Sequence, residues 1–237
     1  MYFGFAQYPN RLETKNSKHI EMTLKACIFD LDGVIVDTAK YHYLAWKRLA
    51  DELGFFFSEE HNERLKGVSR MDSLEILLSV GNIIDKSSEE KEYLASRKNI
   101  WYVEYISHLT PEDILPGTLE LIGFLKTKDI KIALGSASKN ARSILKGIKL
   151  EQAFDSIVDG TRIAKAKPDP QVFTTGADDL GVKYSECIVF EDAEAGVEAA
   201  IRAGMKSIGI GSPVQLGKAN MVVAGLDQIK FDKLFEL

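Results

Sequence analysis

Apolar residues run along the chain in two rhythms. Four short segments, Leu24–Phe29, Ile130–Ser136, Cys187–Asp192 and Met205–Gly211, are apolar over most of their length and then break into acidic, hydroxyl or glycine residues. Runs this short, bounded by turn-forming residues, predict buried strands of a parallel sheet, with Met221–Gly225 as a fifth. Between them, over Thr118–Lys128, Ala141–Ile148, Pro170–Leu180 and Ala195–Ala203, apolar residues recur at three- and four-residue spacing, as in helices that bury one face. Alternation of strand and helix predicts an α/β fold, a Rossmann-like parallel sheet core with helices on both faces. Such sheets bind ligands beyond the carboxyl ends of their strands, where the polar residues just named fall.

From Thr38 to Leu109 the strand rhythm disappears, and helical spacing runs through Tyr41–Leu53, Asp72–Leu78 and Ser88–Ile106. The pattern predicts an inserted helical cap domain over residues 38–109, with an α/β core domain formed by residues 22–37 and 110–237. Residues 1–21 read as an amino-terminal extension, because Met22 stands directly before the first strand. Two crossings, near Val36–Thr38 and Leu109–Leu115, would join cap to core as a hinge that opens and closes over the strand ends.

Composition narrows the function classes. With 45% hydrophobic and 27% charged residues the chain matches ordinary globular proteins. No stretch approaches the roughly 18 consecutive apolar residues of a membrane helix, so a cytoplasmic protein without a membrane partner is expected. The first residues lack a basic start followed by an apolar run, the signature of a secretory signal. A net charge of −5 provides no broad basic field, which argues against nucleic acid as a partner and leaves any bound anion to local cations. The two cysteines, Cys27 and Cys187, each lie within an apolar run and read as buried thiols rather than a disulfide. A monomer is expected.

The candidate chemistry sits at the strand ends. Asp30 and Asp32 are two residues apart, so in extended backbone their side chains point the same way, and the turn at Gly33 would aim them into the crevice. One carboxylate can attack phosphorus while the other exchanges a proton with a substrate hydroxyl. Glu191 and Asp192 end another buried strand and, with Asp30, would gather three acidic groups around one hard cation such as Mg²⁺. Ser136 opens a polar turn through Ala137, Ser138, Lys139 and Asn140, and Lys167, fixed beside Pro168, would balance the acidic charge. Each piece alone is commoner as a solvated turn or helix cap; the four in this order, each at the end of an apolar run, point to phosphoryl transfer.

Those segments, DLDGVIVDT, the Ser–Ala–Ser turn, Lys167 in AKPDP and FED at 190–192, resemble the four signature motifs of the haloacid dehalogenase superfamily. The likeness spans about Lys25 to Leu216, with minor departures at Gly135, where alanine is common, and at Asp169. Within that superfamily the insert resembles the cap of the β-phosphoglucomutases, in YHYLAWKRLADELG, LKGVSRMDSLEILL and SRKNIWYVEYI, to which the core adds ALGSASKN. The resemblance implies that Asp30 becomes phosphorylated and that Asp32 acts as general acid and base. It implies Mg²⁺ bound by Asp30, Asp192 and the backbone carbonyl of Asp32, with Glu191 alongside. Ser136 and Lys167 would contact the transferring phosphoryl group, while Arg70, Ser138 and Asn140, with Ala137 and Lys139 in the same turn, would hold the phosphate at the far end of the sugar. Trp46, Leu65, Gly67, Val68, Ser69, Ser73 and Lys98 would shape the sugar site, and Thr38, His42 and Lys98 would couple closure to the position of Asp32. The implied substrate is a sugar phosphate. The implied reaction interconverts β-D-glucose 1-phosphate and β-D-glucose 6-phosphate through β-glucose 1,6-bisphosphate; the alternative is a Mg²⁺-dependent phosphatase of small sugar phosphates.

Overall fold

The alternation of buried and exposed positions resolves into a six-stranded, wholly parallel sheet in the computed structural model, which describes residues 24–237. The strands are β1 (Ala26–Phe29), β2 (Lys131–Gly135), β3 (Ser156–Val158), β4 (Cys187–Glu191), β5 (Lys206–Ile210) and β6 (Met221–Val223), in the order β3-β2-β1-β4-β5-β6. Successive residues of β1 face opposite ways. Ala26 and Ile28 pack with Phe173 and Ala200 on one side, and Cys27 and Phe29 pack with Leu121 and Ile144 on the other. Helices therefore cover both faces: α5 (Thr118–Thr127) and α6 (Ala141–Gly147) on one, α7 (Gln171–Leu180) and α8 (Glu194–Arg202) on the other. A four-residue helix, α9 (Pro213–Leu216), follows β5. Among the described residues no helix is long and apolar enough to cross a membrane.

The sequence reading found five strands and missed β3. Its three residues, between Asp155 and Asp159, are too few for a periodicity window, and only pairing of Ala133 with Ser156 and Gly135 with Val158 defines the strand. At Gly135 the space that a methyl group would fill is taken by Phe173, whose ring carbon would lie 2.8 Å from an added Cβ. That packing accounts for the departure from alanine.

Residues 39–106 form four helices, α1 (Ala39–Leu53), α2 (Glu59–Glu63), α3 (Arg70–Val80) and α4 (Ser88–Ile106). The short α2, EEHNE, carries almost no apolar signal and is fixed instead by its start. Ser58 accepts from the His61 N–H, and His61 Nδ1 accepts from the Ser58 N–H. Ser87 and Glu90 do the same for α4. Trp46, Leu49, Leu74, Leu77 and Tyr102 are buried where these helices meet. The two strands of chain leading to and from them lie side by side: Val36 bridges Ile114, and the Leu115 N–H donates to the Ile35 carbonyl at 2.9 Å. Residues 1–21, read as an extension, lie outside the described residues.

Candidate active site

The strand order reverses direction of growth at β1, whose neighbours are β2 on one side and β4 on the other, so a crevice opens beyond the ends of β1 and β4. Register places Phe29 beside Phe190, and the next residues on each strand are Asp30 and Glu191. Lys167 reaches between them. Its Nζ donates to Asp30 Oδ1 at 2.5 Å and to Glu191 Oε2 at 2.8 Å, with all three groups buried. Burial pulls the ammonium toward losing its proton, but the two carboxylates outweigh that and hold its pKa above the ordinary lysine value.

Carboxylate oxygens of Asp30, Glu191 and Asp192 all lie within 4.8 Å of one another. Burial, and then the charge of neighbouring carboxylates, raises Asp192 to about 7; burial also raises Glu191 to about 8 despite its bond to Lys167. Hard oxygen donors held together against their own repulsion fit a small divalent cation. The backbone is shaped to the same end. Gly33 has φ +78°, and a Cβ there would lie 2.2 Å from Asp192 Oδ2, so no other residue fits under that carboxylate.

Asp32 is held from the cap side. Thr38, positioned as the N-cap of α1, makes no side-chain cap; its hydroxyl donates to Asp32 Oδ1 instead. Burial first, and the charge of Asp30 second, raise Asp32 to about 7, the range in which a carboxyl can give and take a proton at neutral pH. Beyond it, Lys98 Nζ lies 3.0 Å from His42 Nδ1 and sits over the rings of Trp46 and Tyr102 at 4.5 and 4.6 Å. Burial lowers both His42 and Lys98 well below their ordinary values, and each is lowered further by cationic neighbours, Arg70 among them.

Between cap and sheet lies a cavity of about 520 Å³, within the range of small-molecule sites. Asp30, Asp32, Ser136 and Asp192 line its core wall, and the Ala137–Asn140 turn continues it. His42, Trp46, Leu65, Gly67, Val68, Ser69, Arg70, Ser73 and Lys98 line the cap wall. Thr38, Lys167 and Glu191 do not line it; they lie buried behind the residues that do. The Ser69 hydroxyl accepts from the Asp72 N–H at 3.1 Å and donates to Asp72 Oδ2 at 2.6 Å, so it caps α3 as well as facing the cavity. Among the described residues Arg70, Lys98 and Lys139 have no carboxylate within ion-pair distance, although all three border the cavity.

Several lining residues escaped the sequence reading. Lys66, on the cap loop, approaches Asp192 Oδ2 at 3.9 Å, and a Cβ added at Gly67 beside it would lie 3.3 Å from the Ala193 Cβ. Asn62, Asn99 and Tyr102 also border the cavity. Lys66 and Asn99 adjoin residues that were named, Gly67 and Lys98, and that adjacency was the available signal; Asn62 and Tyr102 read as ordinary helix positions.

The chain belongs to the haloacid dehalogenase-like hydrolases, whose family pattern matches residues 24–204. Within that family it is 46% identical over 214 residues to the β-phosphoglucomutase of Bacillus subtilis, covering 90% of this chain and 95% of that one. The solved structure of β-phosphoglucomutase from Clostridium difficile superimposes with a TM-score of 0.87 at 45% identity, over 90% of this chain and 96% of the other. A phosphorylated carbohydrates phosphatase of Thermotoga maritima is 31% identical over 217 residues, 90% of this chain and 98% of the relative.

Proposed function

We propose that the chain is a phosphomutase that interconverts β-D-glucose 1-phosphate and β-D-glucose 6-phosphate through an aspartyl-phosphate enzyme and β-glucose 1,6-bisphosphate. Close similarity to two β-phosphoglucomutases along nearly the whole chain supports this reading. The observation that carries it is the charge layout of the cavity. On the core wall Lys167 pairs with Asp30 and Glu191, while Arg70, Lys98 and Lys139 border the same space with no carboxylate at ion-pair distance among the described residues. A substrate with a phosphate at each end supplies the missing negative charge, and the guanidinium of Arg70 offers two parallel donors to phosphate oxygens.

In this reading Asp30 Oδ attacks phosphorus. The bond from phosphorus to the departing sugar oxygen breaks, and that oxygen takes its proton from Asp32. In the reverse half-reaction Asp32 removes the proton from the other sugar hydroxyl as that oxygen attacks the phosphoryl group on Asp30. Lys167 holds the oxygen that is to attack and keeps one positive charge against the incoming phosphate. Asp30, Asp192 and the Asp32 carbonyl would hold Mg²⁺, with Glu191 alongside. When bound, that ion would supply charge neutralisation between nucleophile and phosphate. Leu65, Val68 and Trp46 close the cap wall over the sugar and exclude the water that would otherwise accept the phosphoryl group.

An assay with β-glucose 1-phosphate, Mg²⁺ and a trace of bisphosphate tests the reading by comparing glucose 6-phosphate formed with inorganic phosphate released. Isomer in large excess is the expected result. Phosphate as the main product would instead favour the sugar-phosphate phosphatase reading, to which the Thermotoga relative gives some weight.

A further inference from the structure

Among the described residues, one side-chain hydrogen bond besides that of Thr38 to Asp32 joins the segment of helices α1–α4 to the sheet layer: Asn140 Nδ2 donates to Asn99 Oδ1 at 2.9 Å. The two residues lie 41 positions apart, Asn99 on α4 beside Lys98 and Asn140 at the end of the Ser136–Lys139 turn, and both border the cavity. Asn140 is also the N-cap residue of α6, where an asparagine ordinarily turns its side-chain oxygen back onto the helix's free N–H groups. It makes no such cap here. Its side chain is instead bonded across the cleft.

We propose that Asn99 is a positioning residue for substrate, acting through Asn140. The carboxamide oxygen of Asn99 holds one of the two Nδ2 hydrogens of Asn140, which fixes the plane of that amide and leaves its second hydrogen for an anion in the cavity. The same bond ties α4, which also carries Lys98, to the core turn, so the cap is held closed in step with the seating of the distal phosphate. This rests on the reading above in one respect only, that Asn140 contacts a phosphate oxygen. Asn99 differs from Lys98 and Arg70 in bringing no charge; its contribution is orientation and closure.

The experiment measures the affinity of glucose 6-phosphate by calorimetry in an Asp30→Asn background, where no turnover disturbs the equilibrium. Asn99→Ala and Asn140→Ala are each expected to weaken binding about tenfold, near 1.4 kcal/mol, and the double variant no more than either alone. Asn99→Leu, which keeps the side-chain volume but lacks the acceptor, should match Asn99→Ala and guards against a packing defect. Unchanged affinity in Asn99→Leu, or losses that multiply in the double variant, would overturn the proposal. In the Asp30-intact chain, Asn99→Leu should also raise several-fold the share of phosphoryl groups lost to water; an unchanged share would count against closure. Non-additive binding losses in a chain that makes no isomer would leave the pairing standing and remove the mutase reading. Isomer formation with additive losses would do the reverse.

Discussion

The two walls of the cavity hold their charges in opposite ways. At the centre of the core wall Asp30 and Glu191 stand at strand ends, buried and tied to one buried partner of opposite sign, Lys167. On the cap wall Arg70 and Lys98 come from helices, and among the described residues neither has a carboxylate partner; Lys98 rests on aromatic rings and the neutral ring of His42. A paired and buried charge is costly to change and suits chemistry that does not vary. Unpaired cations on an insert suit recognition, which can change while the chemistry persists. The comparisons agree with this division, since a relative named as a mutase and one named as a phosphatase each align along 90% of this chain.

The division can be broken most sharply at its centre. Asp30→Asn should lower turnover on the order of 10⁴-fold or more in a coupled assay, because the amide cannot form the acyl-phosphate, while circular dichroism shows the fold retained. A fully active Asp30→Asn protein would contradict the role of the core wall. Arg70→Ala should reduce kcat/KM for isomerisation roughly tenfold to 100-fold, the worth of a charged hydrogen bond of about 1.5–3 kcal/mol. Phosphate release from substrates with a single phosphate should fall less. Equal losses in both assays would erase the distinction between the walls.

Metal addition tests the core wall without chemistry. Mg²⁺ at a fixed concentration, about 100 times its dissociation constant at pH 8, should stabilise the protein there by about 2.7 kcal/mol against urea. Because Asp192 and Glu191 sit at about 7 and about 8, they must lose protons when the cation arrives, so the gain should increase as pH rises from about 6 to about 8. Asp192→Asn should remove most of this gain. A gain independent of pH would show that the cluster is not where the cation binds.

The smallest effect concerns the cap. His42 is kept neutral by burial, so its folded pKa lies well below its unfolded value of about 6.5. As pH falls below about 6.5 the unfolded chain takes up a proton that the folded chain refuses, and stability declines by at most about 1.4 kcal/mol per pH unit. His42→Gln should flatten that part of the stability profile, read from urea midpoints; an unchanged slope would place the acid sensitivity elsewhere.

The core wall was largely legible in the sequence, because each of its residues follows an apolar run that had to be a buried strand. Asp30, Ser136, Glu191 and Asp192 could be placed by that rule alone. The helical rhythm of the cap was equally plain, yet its wall was reached through resemblance, since a helix does not announce which of its polar residues faces a partner. The link from Thr38 to Asp32 was likewise reached through resemblance, since a residue that begins a helix reads as a cap. Two features lay beyond either route. Asn140 also sits where a helix begins, but its side chain turns to Asn99 across the fold. Lys66 approaches Asp192 from 126 positions away, a distance in sequence that no local pattern spans.

The covalent step at Asp30 carries the account, and mass spectrometry of rapidly quenched enzyme tests it directly. After mixing with β-glucose 1,6-bisphosphate and Mg²⁺, the peptide bearing Asp30 should carry one phosphoryl group, absent from Asp30→Asn treated in the same way. Turnover with that peptide unmodified at every quench time, or with the group on another residue, would contradict it.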